Sequence, residues 1–208
     1  MINYFTSDLH LGHANIIKYC GRTLFMNKEE LSEYNRLLNA TQEEQRKMKI
    51  SEETLVKMNK VLINNINSRV KEDDILYHVG DFCFKKSKEA PEGKVFDYFR
   101  NQINCKTVYF IAGNHDANNS TKTIIQNMTI AISNKRINLV HNPEHININY
   151  EINLVGHVHQ NWQIRRIKQG YSFIDAINVG CDVWKFMPIT INEILGRYNQ
   201  WKKLNNLP

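Results

Sequence analysis

Four short polar segments of this 208-residue chain carry side chains that could do chemistry: Asp8-Leu9-His10, Gly80-Asp81, Gly113-Asn114-His115-Asp116 and Gly156-His157-Val158-His159. His141 stands between the last two. Carboxylate, carboxamide and imidazole groups are good ligands for divalent cations. In an extended backbone, residues two apart point to the same side, so Asp8 with His10, and His157 with His159, can each face one locus. Every segment follows a strand-like apolar run such as Val108-Tyr109-Phe110-Ile111-Ala112, and the ends of such runs are where α/β folds place their sites. Taken singly, each has a plainer reading, because Gly, Asn and Asp are turn formers and Asp-x-His can be a turn carboxylate beside a surface histidine. Together, in one chain and in this order, they read as a two-metal centre.

Ligands so far apart in sequence need a frame to bring them together, and the apolar pattern supplies one. Strands are expected at Ile2 to Thr6, Ile75 to Val79, Thr107 to Ala112, Met128 to Ser133, Arg136 to Val140, Ile152 to Val155 and Tyr171 to Val179. Helical segments are expected at residues 13 to 20, Lys28 to Lys71, Val95 to Ile103 and Ser120 to Asn127. In the long one, Leu55, Met58, Val61, Leu62 and Ile66 form an apolar stripe that should pack on a sheet. The stretch Tyr34 to Ser51 has few large apolar residues and reads either as a protruding hairpin or as a lid over the site. A last helix starts at Thr190-Ile191-Asn192-Glu193, a capping box, and continues through Ile194, Leu195, Tyr198 and Trp201. No linker or repeat divides the chain, so residues 1-208 read as a single domain with a helical insertion at about 24-72.

Composition narrows the class. With 42% apolar residues the chain can bury a substantial core. Cys20, Cys83, Cys105 and Cys181 are widely spaced and read as reduced core thiols rather than a disulfide scaffold or a zinc knuckle. No apolar run approaches the roughly 20 residues that span a bilayer, and the first strand begins at once, leaving no room for a signal segment. A cytoplasmic protein without a membrane partner is expected. The net charge of +6 suits an anionic substrate. The basic clusters at 85–88, 165–168 and 202–203 read as solvated surface, since a nucleic-acid groove would interleave them with aromatics along one face.

The ordered set Asp8-x-His10, Gly80-Asp81, Gly113-Asn114-His115-Asp116, His141 and Gly156-His157-x-His159 resembles the calcineurin-like metallophosphoesterases, whose pattern is DxH, GD, GNH(D/E), H and GHxH. The segments "SDLHLGHANIIKYCGR" and "NVGCDVWKFMPITINEI" further resemble small single-domain phosphoesterases of bacteria and their phages. The resemblance implies an α/β fold of two packed mixed β-sheets flanked by helices, an α/β/β/α sandwich with the site at the strand ends. It also implies two divalent metal ions. Asp81 would bridge them, with Asp8, His10 and His159 on the first ion and Asn114, His141 and His157 on the second. Mixed N and O ligands without thiolate fit manganese, iron or zinc, with Mn²⁺ the first choice. The implied reaction is hydrolysis of a phosphomonoester or phosphodiester by a metal-bridging hydroxide, the substrate a phosphorylated small molecule of nucleotide type. A nuclease of the same superfamily is the next reading. A non-catalytic scaffold like the retromer subunit is the third.

His115 would then be the catalytic residue that protonates the leaving oxygen, with Asp116 fixing its ring. His13, three residues after His10, either lines the substrate pocket or starts a helix. Arg22 either has a structural role or, as the best candidate of its neighbourhood, grips a substrate phosphate, since a guanidinium can hold two oxygens. Asp182 either supports a ligand histidine from outside or starts a turn. His78 and His145 read as structural. Sequence is silent on oligomeric state and on the natural substrate.

Overall fold

Alternation of apolar residues decides the layers. In a computed structural model, which describes residues 1–116, 125–132 and 134–207, strands β1 (Asn3–Thr6), β2 (Ile75–Val79) and β3 (Thr107–Ile111) pair in parallel, and a two-residue strand β9 (Ile189–Thr190) pairs antiparallel to β1. This first sheet has the order β3-β2-β1-β9. Period-two patterning sends Tyr4 and Leu76 to one face and Phe5, Tyr77 and Val79 to the other.

The second sheet has the order β4-β5-β6-β8-β7, from β4 (Asn127–Ile132), β5 (Lys135–Val140), β6 (Ile152–Val155), β7 (Ile164–Gln169) and β8 (Ser172–Asn178). Strands β5, β6 and β8 run parallel, while β4 and β7 are antiparallel edges. Ile137, Leu139, Ile152, Leu154 and Ile177 meet Phe5, Tyr77, Val79 and Ile111 in the core shared by the two sheets. The fold is thus an α/β sandwich of two mixed sheets with flanking helices.

Helices α1 (Ala14–Tyr19), α2 (Lys28–Leu37), α3 (Gln42–Lys47), α4 (Glu52–Arg69) and α5 (Val95–Arg100) lie on the chain before β3, and the core on the Tyr4 and Leu76 face takes Ile16, Ile17, Leu55, Met58, Leu62, Ile66 and Phe99 from them. Helix α6 (Ile191–Leu204) starts at the Thr190 capping box and sends Ile191 and Ile194 into the core between the sheets. The segment from Tyr34 to Ser51 is held down. Leu37 and Met48 are buried, Lys18 Nζ donates to the carbonyl oxygens of Arg46 and Met48, and the Glu30 carboxylate accepts from Asn27 N, Ser51 N and Thr54 Oγ1. Two capping boxes, Asn27 with Glu30 and Thr41 with Glu44, start α2 and α3.

Most of the helix expected at Ser120 to Asn127 lies outside the described residues, and Asn127 itself begins β4. The basic run Arg165-Arg166-Ile167-Lys168 lies in the middle of β7, where Arg165 and Lys168 are exposed while Ile164 reaches the core and Ile167 packs against Val140, Val155, Ile174 and Ala176. All four cysteines are buried free thiols. No helix among the described residues is long and apolar enough to cross a membrane.

Candidate metal centre

The parallel strands of both sheets end at one place. Asp8 follows β1, Asp81 follows β2, Asn114 follows β3, His141 follows β5, and His157 follows β6, so carboxyl-terminal strand ends from both layers converge. Backbone bonds stitch the ends together: Asp8 N donates to Gly80 O and His10 N to Asp81 O, each at 3.0 Å. Across the layers, His157 N donates to the Asp8 carboxylate at 3.0 Å, and His141 Nδ1 lies 2.8 Å from Val79 O. That carbonyl fixes the tautomer of His141, leaving Nε2 free to point inward.

Five of the converging residues sit in left-handed backbone: Asp8, His10, Asp81, His157 and His159 have φ between +47° and +72°. None is glycine, so each is held there at a conformational cost by the structure around it. Two glycines open the space beside them. A Cβ on Gly80 would collide with the His141 ring, and one on Gly113 with the Asp81 carboxylate.

Two groups of ligand atoms result, each lying within 4.8 Å of one another: Asp8, His10 and His159, and Asp8, Asp81 and His141. Asp81 Oδ2 stands 3.5 Å from His10 Nε2 and 3.3 Å from His141 Nε2. Asn114 Oδ1 lies 3.1 Å from His141 Nε2 and 2.9 Å from His157 Nδ1. His10 Nε2 is buried and has no hydrogen-bond partner. A buried imidazole nitrogen aimed at a carboxylate oxygen without a bond is what a cation ligand looks like before the cation is placed. The donor set of oxygen and imidazole nitrogen fits a divalent transition-metal ion.

Charge distribution agrees. Burial drives His10 well below its ordinary pKa, so it is neutral and ready to donate a lone pair. Burial alone would also lower His141, but its hydrogen bond to Asp81 and the charge of Asp8 overcome this and raise it to about 9. Asp81 shows the reciprocal effect: its carboxyl is lowered against burial by His141 and His10. His159, likewise lowered by burial and raised more strongly by its bond to Asp182, stands at about 10. His157, lowered by burial and by the neighbouring His141, stays neutral.

Supporting side chains differ from the sequence expectations in two cases. Arg22 does not face a substrate. Its guanidinium is 1% exposed and donates to both Asp182 oxygens (2.7 and 3.0 Å), to Asp8 O (2.7 Å) and to Leu9 O (3.1 Å), so every edge is already engaged. Asp182 in turn holds His159 Nδ1 at 2.9 Å, which leaves His159 Nε2 for the centre. Cys20, His159 and Asp182 also form a compact trio, but the Asp182 oxygens are committed to Arg22 and His159. Nor does Asp116 hold the His115 ring. Its carboxylate accepts the backbone N–H groups of Asp81 (2.9 Å), Gly113 (2.8 Å) and Phe82 (3.3 Å), pinning the β2 and β3 ends to each other. Burial raises its pKa nonetheless.

His115 N donates to Asp81 Oδ1 at 2.9 Å, and its exposed ring stands edge-on to His10 with centroids 5.4 Å apart. His13 precedes α1, stacks on Phe84 at 4.5 Å, and has its centroid 5.8 Å from that of His10. Burial lowers its pKa to about 4. His78 is buried in β2 against Phe82 and Phe110, and His145 ends the short 3-10 helix Pro143–His145.

Two supports went unread in the sequence. Ser7 Oγ donates to Asp8 Oδ2 at 2.6 Å, with adjacency to the aspartate as its only signal. Asn178, fully buried at the end of β8, binds His159 O and Trp162 O through Nδ2 and Gly180 N through Oδ1. A polar residue closing an apolar strand was the signal that could have found it.

The family model of the calcineurin-like phosphoesterases matches residues 4–201. An uncharacterized protein of Methanocaldococcus jannaschii is 29% identical over 196 residues, covering 92% of this chain and 88% of that protein. A solved structure of a protein of unknown function from Aquifex aeolicus superposes with a TM-score of 0.58 at 21% identity, over 93% of this chain and 97% of that one, a likeness of fold.

Proposed function

The chain belongs to the calcineurin-like phosphoesterase family, and from that premise we propose that it hydrolyses a phosphoester of a small nucleotide-type molecule with the help of two divalent cations. The observation that carries this reading is the position of Asp81 Oδ2, which faces one imidazole on each side, His10 at 3.5 Å and His141 at 3.3 Å. A carboxylate so placed can serve two cations at once. Asp8, His10 and His159 would hold one, and Asn114, His141 and His157 the other. Manganese is our first assignment, with iron or zinc next. Such a pair, when bound, supplies a water deprotonated near neutral pH and clamps the phosphoryl oxygens.

The chain's own residues do the rest. His115, exposed beside His10, protonates the departing alkoxide. Its main-chain bond to Asp81 holds it at the fixed edge of the centre. His13, kept neutral by its burial against Phe84, lines the substrate side as a hydrogen-bonding group without charge. Asp116, Asp182 and Arg22 position ligands and touch no substrate.

The test uses the full chain, stripped with chelator and reloaded with Mn²⁺, assayed on p-nitrophenyl phosphate, bis-p-nitrophenyl phosphate, cyclic nucleotides and single-stranded DNA. Two bound ions per chain by elemental analysis and chelator-sensitive hydrolysis of a small ester are expected. Absence of turnover on every substrate with both ions bound would favour a scaffold and defeat the proposal, and processive DNA degradation would make the chain a nuclease.

A further inference from the structure

A groove of about 560 Å³ opens beside the metal centre, its walls including Asn142, Glu144, His157, Trp162, Arg165 and Lys168. Its volume is that of a small-ligand site. His157 is part of the lining, and the ring of that residue stands 5.3 Å from the ring of His141 and bonds Asn114 Oδ1. The groove and the second cation position therefore share a wall. Asn142 directly follows His141.

Trp162 is half-buried. It packs against the cluster of Val140, Ile146, Val155, Ile174 and Ala176, and its carbonyl is held by Asn178 Nδ2 at 2.9 Å. An indole fixed from behind and bordering a groove is a stacking surface for a planar base. The basic residues of the lining are not equivalent. Arg166 is taken up by Asp175, at 2.7 and 2.8 Å, whereas Arg165 and Lys168 are exposed and have no acidic partner among the described residues. They outnumber the one acid of the lining, Glu144. An aromatic face, two uncompensated cations and a histidine shared with the candidate centre fit a molecule with a base and more than one phosphate.

We propose that this groove binds the nucleoside part of the substrate, with the base stacked on Trp162 and a phosphate other than the reacting one met by Arg165 and Lys168. The inference rests on the phosphoesterase reading above and adds the substrate class to it. The test compares two chromogenic diesters with the same leaving group on the Mn²⁺-loaded full chain: the p-nitrophenyl ester of thymidine 5′-monophosphate and methyl p-nitrophenyl phosphate. Binding of adenosine 5′-diphosphate and 5′-monophosphate is measured beside them by calorimetry.

Trp162→Ala should lower kcat/KM for the thymidine ester on the order of tenfold, mainly through KM, and change the methyl ester by no more than about twofold. Trp162→Phe should restore most of the loss. Arg165→Ala with Lys168→Ala, both on exposed positions, should erase a roughly tenfold preference for the diphosphate over the monophosphate and flatten its salt dependence. Equal losses on both esters, or diphosphate binding unchanged in these variants, would overturn the groove. Single-stranded DNA binding more tightly than the diphosphate and weakened by the same variants would also overturn it, by assigning the groove to a polymer. Failure of both esters to react in the wild type would count against the phosphoesterase reading alone, because the calorimetry still reads the groove.

Discussion

The two halves of the centre are built differently. On the Asp8 side, Asp8 and His10 are buried, and His159 is braced by Asp182, which is braced by Arg22, which returns to the Asp8 carbonyl. On the Asn114 side, His141 is buried and fixed by Val79 O, but Asn114 and His157 are exposed and lean on each other and on His141. One half is part of the folded core. The other is open to solvent and to the groove. The lesson is that one cluster of strand ends can combine a buried, cross-braced set of side chains with an exposed set that is braced mainly by its own members.

The largest expected effect comes from Asp81, the residue proposed to serve both cations. Asp81→Ala should lower kcat/KM by at least about 10³-fold and abolish binding of two ions, checked by steady-state kinetics with elemental analysis. Retention of two ions would break the picture of a joint ligand. Arg22→Ala leaves the Asp182 carboxylate with His159 alone and removes the bonds to Asp8 O and Leu9 O, so it should cost about 3 kcal/mol or more in urea unfolding, while its counterpart on the open side, His157→Ala, should cost under about 1 kcal/mol. Comparable losses would erase the contrast. Asp182→Asn should weaken one cation by roughly 10- to 100-fold in a chelator competition and leave the other unchanged, whereas His157→Ala should weaken the other.

Protons give a finer test. In the metal-free chain His141 and His159 are raised to about 9 and about 10, so each half holds one proton at pH 7.5, and loading two cations should release about two protons into weakly buffered solution. Because these folded pKa values exceed the unfolded value, the stability they lend the metal-free chain is complete below about pH 6.5 and is lost as pH rises through 9 to 10. His78 behaves oppositely. Burial lowers it to about 3, so the unfolded chain binds the extra proton below about pH 6.5, and stability should fall by about 1.4 kcal/mol per pH unit as pH drops from there toward 3. His78→Leu should flatten that acid limb by one proton in pH-dependent unfolding.

How much of this was legible follows from how far each signal extends along the chain. Except for His141, a lone histidine read only from its place in the order of the motifs, the residues that converge could be read because each lies within a short local pattern at a strand end, and α6 because Thr190 and Glu193 are three residues apart. Arg22 could be read two ways, because sequence shows a cation but not which way it faces. Its partner Asp182 is 160 residues away. Asp116 was misread for a similar reason: its hydrogen bonds go to main-chain groups, which leave no trace in side-chain identity. Strand β7 hid behind its charges, because an edge strand needs few apolar positions. The left-handed turns at Asp8, His10, Asp81, His157 and His159 were invisible, since no glycine marks them.

Those five turns bear on how such a protein changes over generations. Each asks an ordinary side chain to occupy a conformation that glycine adopts freely, so Asp8→Gly or His157→Gly would relieve backbone strain while deleting a ligand. A lineage selected only for heat tolerance would drift toward an inert, sturdier sandwich, and its first casualties would be the reactive positions.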